Sequence, residues 1–110
     1  MAERYYENSY AVENIPVTIA SNHHDIGNTK CRRNNSVYVM TIAISADVGA
    51  TGITKIASIP SENAPLSLQY GFTEKTSFDK RCLVYIDTNG DIYMREDGNG
   101  SYGGCISWIR

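Results

Sequence analysis

The sequence predicts an all-β protein, a compact antiparallel β-sandwich or barrel of about seven strands, on three observations. Ile and Val together number eighteen, against three Leu and eight Ala, in a chain that also carries eight Tyr and eight Thr. β-Branched and aromatic side chains crowd the preceding turn of a helix but fit a pleated strand. Short alternating runs recur along the chain, separated by clusters of Asn, Gly and Ser, the residues that make turns. Asn89-Gly90 between two such runs is the strongest short-range hairpin signal. At 110 residues the chain is one domain, placed at Ile15 to Arg110. Met1 to Asn14 is polar, bears Tyr5, Tyr6 and Tyr10 without a clean period, and reads as an N-terminal arm or linker.

Ile15-Pro16-Val17-Thr18-Ile19 reads as an edge strand, because Pro16 has no amide to donate and is out of place in a central one. Asn22 to Asn35 reads as a polar loop containing His23-His24-Asp25 and Lys30-Cys31-Arg32-Arg33. Ser36 to Ala46 is a strand that is apolar on both faces: Val37, Val39 and Thr41 point one way, Tyr38, Met40, Ile42 and Ile44 the other. A small sandwich leaves one face of each sheet wet. The second face is therefore expected to be covered by another subunit.

Asp47 to Gly52 reads as a turn, Ile53 to Ile59 as a strand stopped by Pro60, and Pro60 to Pro65 as a loop. Leu66, Leu68, Tyr70 and Phe72 alternate with Ser67, Gln69 and Gly71, and are expected to form a buried face. Thr73 to Arg81 is polar, with Phe78 its one large apolar residue. Cys82 to Thr88 and Asp91 to Glu96 flank the Asn89-Gly90 turn. A two-residue turn there sets Ile86 opposite Tyr93 and Tyr85 opposite Met94. Asp97 to Ser101 is a further turn, and Gly104 to Ile109 is the last strand.

Ten Lys and Arg against twelve Asp and Glu leave no basic excess, which excludes a general nucleic-acid binder. No apolar run approaches the roughly 20 residues needed to span a bilayer, so no membrane insertion is expected. Met1 to Tyr10 does not read as a secretory signal. Three cysteines are an odd number with no C-x-x-C spacing, which speaks against a zinc site or a disulfide framework. Cys82 and Cys105 lie in apolar runs and read as core residues. Cys31 sits among cations that would lower its pKa, but an incidental surface thiol is the preferred reading.

His23-His24-Asp25 offers metal-ligand types, yet neighbouring residues of an extended chain face opposite ways. A solvated loop is preferred over one histidine from each of three subunits gathered on a threefold axis. Asp87 to Asp91 lacks the glycine and glutamate positions of a calcium loop. No metal and no cofactor is expected. No nucleophile–base or phosphate-cradling motif is present, so the chain is not expected to be an enzyme. For sugar stacking, Tyr93 and Trp108 are better read as core, whereas Phe78 and Tyr102 are the candidates for exposed rings. Asp97 and Asn99 supply the carboxylate and amide that a hydroxyl-rich ligand needs, so Phe78, Asp97, Asn99 and Tyr102 form the candidate binding set.

From Val37 onward the chain also carries an ordered set of motifs. They are Val37-Tyr38-Val39, then Thr54-Lys55-Ile56-Ala57-Ser58-Ile59-Pro60, then Pro65. Val84-Tyr85-Ile86-Asp87-Thr88-Asn89-Gly90-Asp91-Ile92 and Ile106-Ser107-Trp108-Ile109 follow. In this order, over about two-thirds of the chain, they resemble the C-terminal receptor-binding module of bacteriophage tail-fibre and baseplate proteins of Gram-positive hosts. The resemblance implies a homotrimer at a fibre tip, located on the virion and made in the host cytoplasm. It also implies adhesion to bacterial cell-wall saccharide and contact with other tail or baseplate proteins. An architectural trimerisation module that binds only protein, and a free-standing β-sandwich lectin, remain the alternatives.

Overall fold

A computed structural model describes residues 12–48, 51–75 and 80–110. The arm expected over Met1 to Asn14 lies outside the described residues up to position 11, and Glu13 and Asn14 already belong to the first strand. The described chain forms ten antiparallel strands: β1 (Glu13–Ile15), β2 (Thr18–Ile19), β3 (His23–Asp25), β4 (Lys30–Asn34), β5 (Val37–Ala46), β6 (Thr51–Ser58), β7 (Gln69–Lys75), β8 (Arg81–Ile86), β9 (Asp91–Asp97) and β10 (Gly100–Ile109). They make one strongly curled half-barrel sheet in the order β1-β4-β5-β10-β7-β8-β9-β6-β2, with β3 beside the far end of β5. Of the expected sandwich or barrel of about seven strands, the structure has the barrel-like form, a single sheet of ten strands that supplies both walls of its own core.

The curl has a covalent cause. Ile15 pairs with Cys31 on one sheet edge, and Thr18 pairs with Ser58 on the other. Only Pro16 and Val17 separate them, which holds the two edges within three Cα steps, about 11 Å. The single edge strand expected over Ile15 to Ile19 is therefore two, one at each edge, with Pro16 at the crossing where no ladder amide is needed.

The polar segment Asn22 to Asn35, expected as a loop, contributes β3 and β4. Both lie on one side of β5, which is long enough to take β4 at Val37 to Thr41 and β3 at Ile44 to Ala46. Between them the Thr29 hydroxyl donates to the Ala43 carbonyl and accepts from the Ala43 amide, each at 3.0 Å, standing in for a backbone partner. Charged side chains along β4 suit a strand near an edge, where they discourage pairing with foreign chains.

The inward residues of β5, Tyr38, Met40, Ile42, Ile44 and Ala46, pack with Ile56, Ala57, Val84, Ile86, Ile92, Met94, Ile106 and Trp108. A register shift between Lys55 and Ala57 turns both Ile56 and Ala57 inward. One end of the interior is closed by the loop after Pro60. There Tyr38 and Trp108 stack 5.4 Å apart, and the Trp108 indole donates to the Asn63 carbonyl at 3.0 Å.

β7 corrects a second expectation. Tyr70 and Phe72 face outward and Leu66 precedes the strand in an exposed position, while Gly71 and Thr73 face in. A Cβ at Gly71 would lie 3.0 Å from the Cys105 carbonyl oxygen and 3.3 Å from the Ile106 Cβ, so the inner face has no room for the aromatic set. On β10 the inward positions are Tyr102, Ile106 and Trp108, which puts Cys105 outside, contrary to the core placement expected of it.

The hairpin falls where Asn89-Gly90 predicts, with a different register: Val84 faces Met94, Tyr85 faces Tyr93, and Ile86 faces Ile92. The Asp87 amide donates to the Asp91 carbonyl at 2.9 Å and the Gly90 amide to the Asp87 carbonyl at 3.0 Å, which makes a three-residue loop. Only Gly90 of that loop has a positive φ, +95°. A Cβ there would lie 2.2 Å from the Ile59 carbonyl oxygen. Gly90→Ala is expected to destabilise the protein by about 2 kcal/mol or more, through a strained φ and a backbone clash together. Urea unfolding monitored by Trp108 fluorescence will show the lowered midpoint.

Candidate functional site

The β9–β10 turn presents the residues expected to touch sugar. Gly98 and Gly100 have φ of +80° and +140°, and Asn99 between them is exposed at the tip. Asp97 is half-buried, and its Oδ2 lies 3.3 Å from the exposed Lys80 ammonium. Tyr102 does not join them on the surface. Its ring is 1 % exposed, and its hydroxyl donates to the Gly98 carbonyl at 2.8 Å while accepting from the Asp97 amide at 2.9 Å. Burial holds the phenol above its ordinary range, opposed by that amide. The expected exposed ring is instead a clamp that anchors the turn from inside. Phe78 lies outside the described residues.

Next to this turn is a polar feature that the sequence reading missed. β9 alternates inward as Ile92, Met94 and Glu96, so a carboxylate follows two core side chains on the apolar face. His23 on β3 reaches it across the interior, although four strands separate β3 from β9 along the sheet. The His23 Nε2–Glu96 Oε2 pair is almost wholly enclosed, with side chains 3 % and 1 % exposed. His23 is thus a core histidine rather than part of a solvated loop. His24 points the other way and pairs with exposed Asp47 at 2.8 Å.

His23 is held at both ring nitrogens. Nδ1 faces the Ser21 carbonyl at 2.7 Å and Nε2 faces the carboxylate, so both ring nitrogens look at acceptors. A neutral imidazole donates from only one nitrogen. Glu96 Oε1 has no hydrogen-bond partner among the described residues. Glu96 also forms part of the wall of an open cleft of about 390 Å³ lined by β2, the segment Ala20 to His23, Val48 and β6.

The outer face of the sheet carries a third feature. Val37 and Val39 on β5, Ile109 on β10, and Tyr70 and Phe72 on β7 are all exposed, Ile109 by 73 % and Tyr70 by 62 %. Pairing registers set Val37 opposite Ile109, and Phe72 opposite Cys105. Tyr70, Tyr85 and Tyr93 form a cross-strand row, with ring centroids 5.9 and 5.2 Å apart.

No family model and no curated protein matches the chain. A solved structure does: the receptor-binding protein gp15 of Listeria phage PSA is similar with a TM-score of 0.70 and 15 % identity, over 99 % of this chain and 72 % of that one. The fold is similar to that of this phage receptor-binding protein. The likeness agrees with the motif order that begins at Val37. Among the described residues no group of three or more His, Cys, Asp or Glu side chains is placed to hold a metal ion.

The thiols divide sharply. Cys31, expected at the surface, is 1 % exposed and pairs inward against Ile15; burial pushes its pKa from 9.0 to about 11. Burial also raises that of Cys82. At about pH 8, Cys105 is expected to react with a soluble thiol reagent while Cys31 and Cys82 stay silent until the protein is unfolded. A raised folded-state pKa means that the native form keeps a proton which the unfolded form has lost. The contribution of Cys31 to stability is therefore full below about pH 9 and is lost as the pH rises to about 11. Comparing wild type with Cys31→Ala across that window isolates this loss.

Proposed function

We propose that the protein is a non-enzymatic receptor-binding head of a phage or prophage tail fibre or baseplate, carried on the virion. In this reading it adheres as a homotrimer to saccharide on a Gram-positive cell surface, with other tail or baseplate proteins as its neighbours. The observation that carries the reading is the structural likeness to a phage receptor-binding protein over 99 % of the chain.

The outer sheet face supports the trimer. Val37, Val39, Ile109, Tyr70 and Phe72 form a large exposed apolar surface on adjacent strands, of a kind that monomers seldom leave in water. A second copy covering it accounts for a β5 strand that is apolar on both faces. Asp97 and Asn99, held out by the Tyr102 clamp, are proposed to meet the saccharide at the tip, together with Phe78. Three weak sites on one head raise affinity through effective concentration rather than through stronger single contacts.

Light scattering across a dilution series is expected to give three times 12.2 kDa, about 36.6 kDa. Val39→Asp and Ile109→Asp place a charge in the proposed contact and are expected to yield 12.2 kDa monomers. Sedimentation with isolated Gram-positive cell walls should retain the wild type and lose these variants by about a hundredfold in apparent affinity. A wild type that is monomeric at every concentration, or that leaves walls unbound, overturns the corresponding half of the proposal.

A further inference from the structure

The outward face of the sheet changes character along its length. β5 shows Val37 and Val39 at one end, then Thr41, Ala43 and Ser45. β10 runs the other way, with Ile109 opposite Val37 but Gly103 and Ser101 opposite Ala43 and Ser45. On β7, Tyr70 and Phe72 give way to Glu74. On β8 and β9, Leu83, Tyr85 and Tyr93 give way to Arg81, Arg95 and Asp97. Three exposed apolar residues lie outside the apolar half, Ile26, Val48 and Ile53, each on a separate segment. Apolar side chains scattered singly are ordinary on a monomer's surface.

The fold ties this gradient to the ends of the chain. Glu13 pairs with Arg33, Arg33 pairs with Tyr38, and the Arg110 amide donates to the Ser36 carbonyl at 2.9 Å. Both ends of the described chain therefore lie at the apolar half. The turn from Asp97 to Gly100 lies at the opposite end, where Asp97 pairs with Thr51 and Gly100 with Ala46. β10 runs from Gly100 to Ile109, which at about 3.3 Å per residue sets the turn about 30 Å from Ile109.

Composition says what covers the apolar half. An uncharged, aromatic centre inside a charged rim is the make-up of the buried core of a protein–protein contact. Here the centre is the row Tyr70, Tyr85 and Tyr93 with Val39. The rim is Arg32, opposite Val39, and Lys55, opposite Tyr93 and ion-paired with Asp91 at 3.1 Å. A surface with no ionised group in its middle meets an identical surface without bringing like charges together. A second copy of the chain fits it on that ground.

We infer that contact between copies is confined to the apolar half of the outward face, and that the Asp97 to Gly100 tips stand apart, each formed by one chain alone. The inference rests on the trimer reading above and goes beyond it. The contact extends from β7 across β8 and β9 to Lys55, and it stops short of Ser45 and Glu74. Each tip then meets its ligand independently, and the copies cooperate only through effective concentration.

Cysteine cross-linking in solution tests this. Cys105→Ser protein keeps only the two buried thiols, Cys31 and Cys82. In that background a cysteine is introduced at Val39, Tyr93 or Asn99 and a short bismaleimide is added. Val39→Cys, inside the contact on either reading, and Tyr93→Cys, inside it only on this one, are expected to give bands at multiples of 12.2 kDa. Asn99→Cys is expected to stay at 12.2 kDa while still accepting a single maleimide dye. By light scattering, Ser45→Arg and Glu74→Arg are expected to keep the mass of the wild type.

Links through Val39 with none through Tyr93 overturn the extended contact and leave the trimer reading standing. So do links through Asn99, or a folded Ser45→Arg or Glu74→Arg protein that has lost the wild-type mass. Should Tyr93→Cys fail to fold, Tyr85→Cys takes its place. A wild type that is monomeric at every concentration overturns both readings.

Discussion

Everything in this molecule follows from the shortness of one connection. Pro16 and Val17 are all that separates a residue paired at one edge of the sheet from a residue paired at the other. A sheet of this width twists whatever its sequence, but twist alone does not bring its edges together. Tethering them makes one sheet do the work of two, with a common interior. It also lays β1 and β2 over part of each edge, at Cys31 to Arg33 and at Ala57 to Ser58. The interior then has two ends to close. Tyr38, Trp108 and the Asn63 carbonyl fill one, and Tyr102, Glu96 and His23 occupy the other.

Much of this was legible in the sequence. The strands at Val37 to Ala46, Ile53 to Ser58, Cys82 to Ile86 and Asp91 to Glu96 announce themselves because β-branched residues alternate and turn residues separate them. The hairpin at Asn89-Gly90 is in place, although its loop is one residue longer, because Gly90 alone takes the left-handed conformation against Ile59. β3 and β4 were hidden for a plain reason. A strand at or next to an edge needs few apolar residues, and β4 buries Cys31 and little else. Hydrophobic periodicity cannot report a strand whose reward is backbone hydrogen bonding to β5.

The reversal at β7 has a different origin. Leu66, Leu68, Tyr70 and Phe72 keep the strand period, yet alternation tells only that two faces differ and not which of them looks inward. The deciding fact is the close approach of β7 to β10 at Gly71, a property of two strands far apart in sequence. The candidate site shows the same limit. Asp97 and Asn99 were readable as an exposed turn, whereas Tyr102 looked free until its hydroxyl was seen to reach back to Gly98. Glu96 carried a usable signal, a carboxylate in phase with Ile92 and Met94, but its partner on β3 could not be found without the curl of the sheet.

The Tyr102 clamp has an evolutionary consequence. It grips the turn through the carbonyl of Gly98 and the amide of Asp97, groups that every residue but proline possesses, and asks nothing else of the side chains at positions 97 and 99. Gly98 and Gly100 must persist for their backbone geometry, but the groups displayed at the tip are free to drift. A tip mounted in this way can change what it presents to the outside without renegotiating the core beneath it.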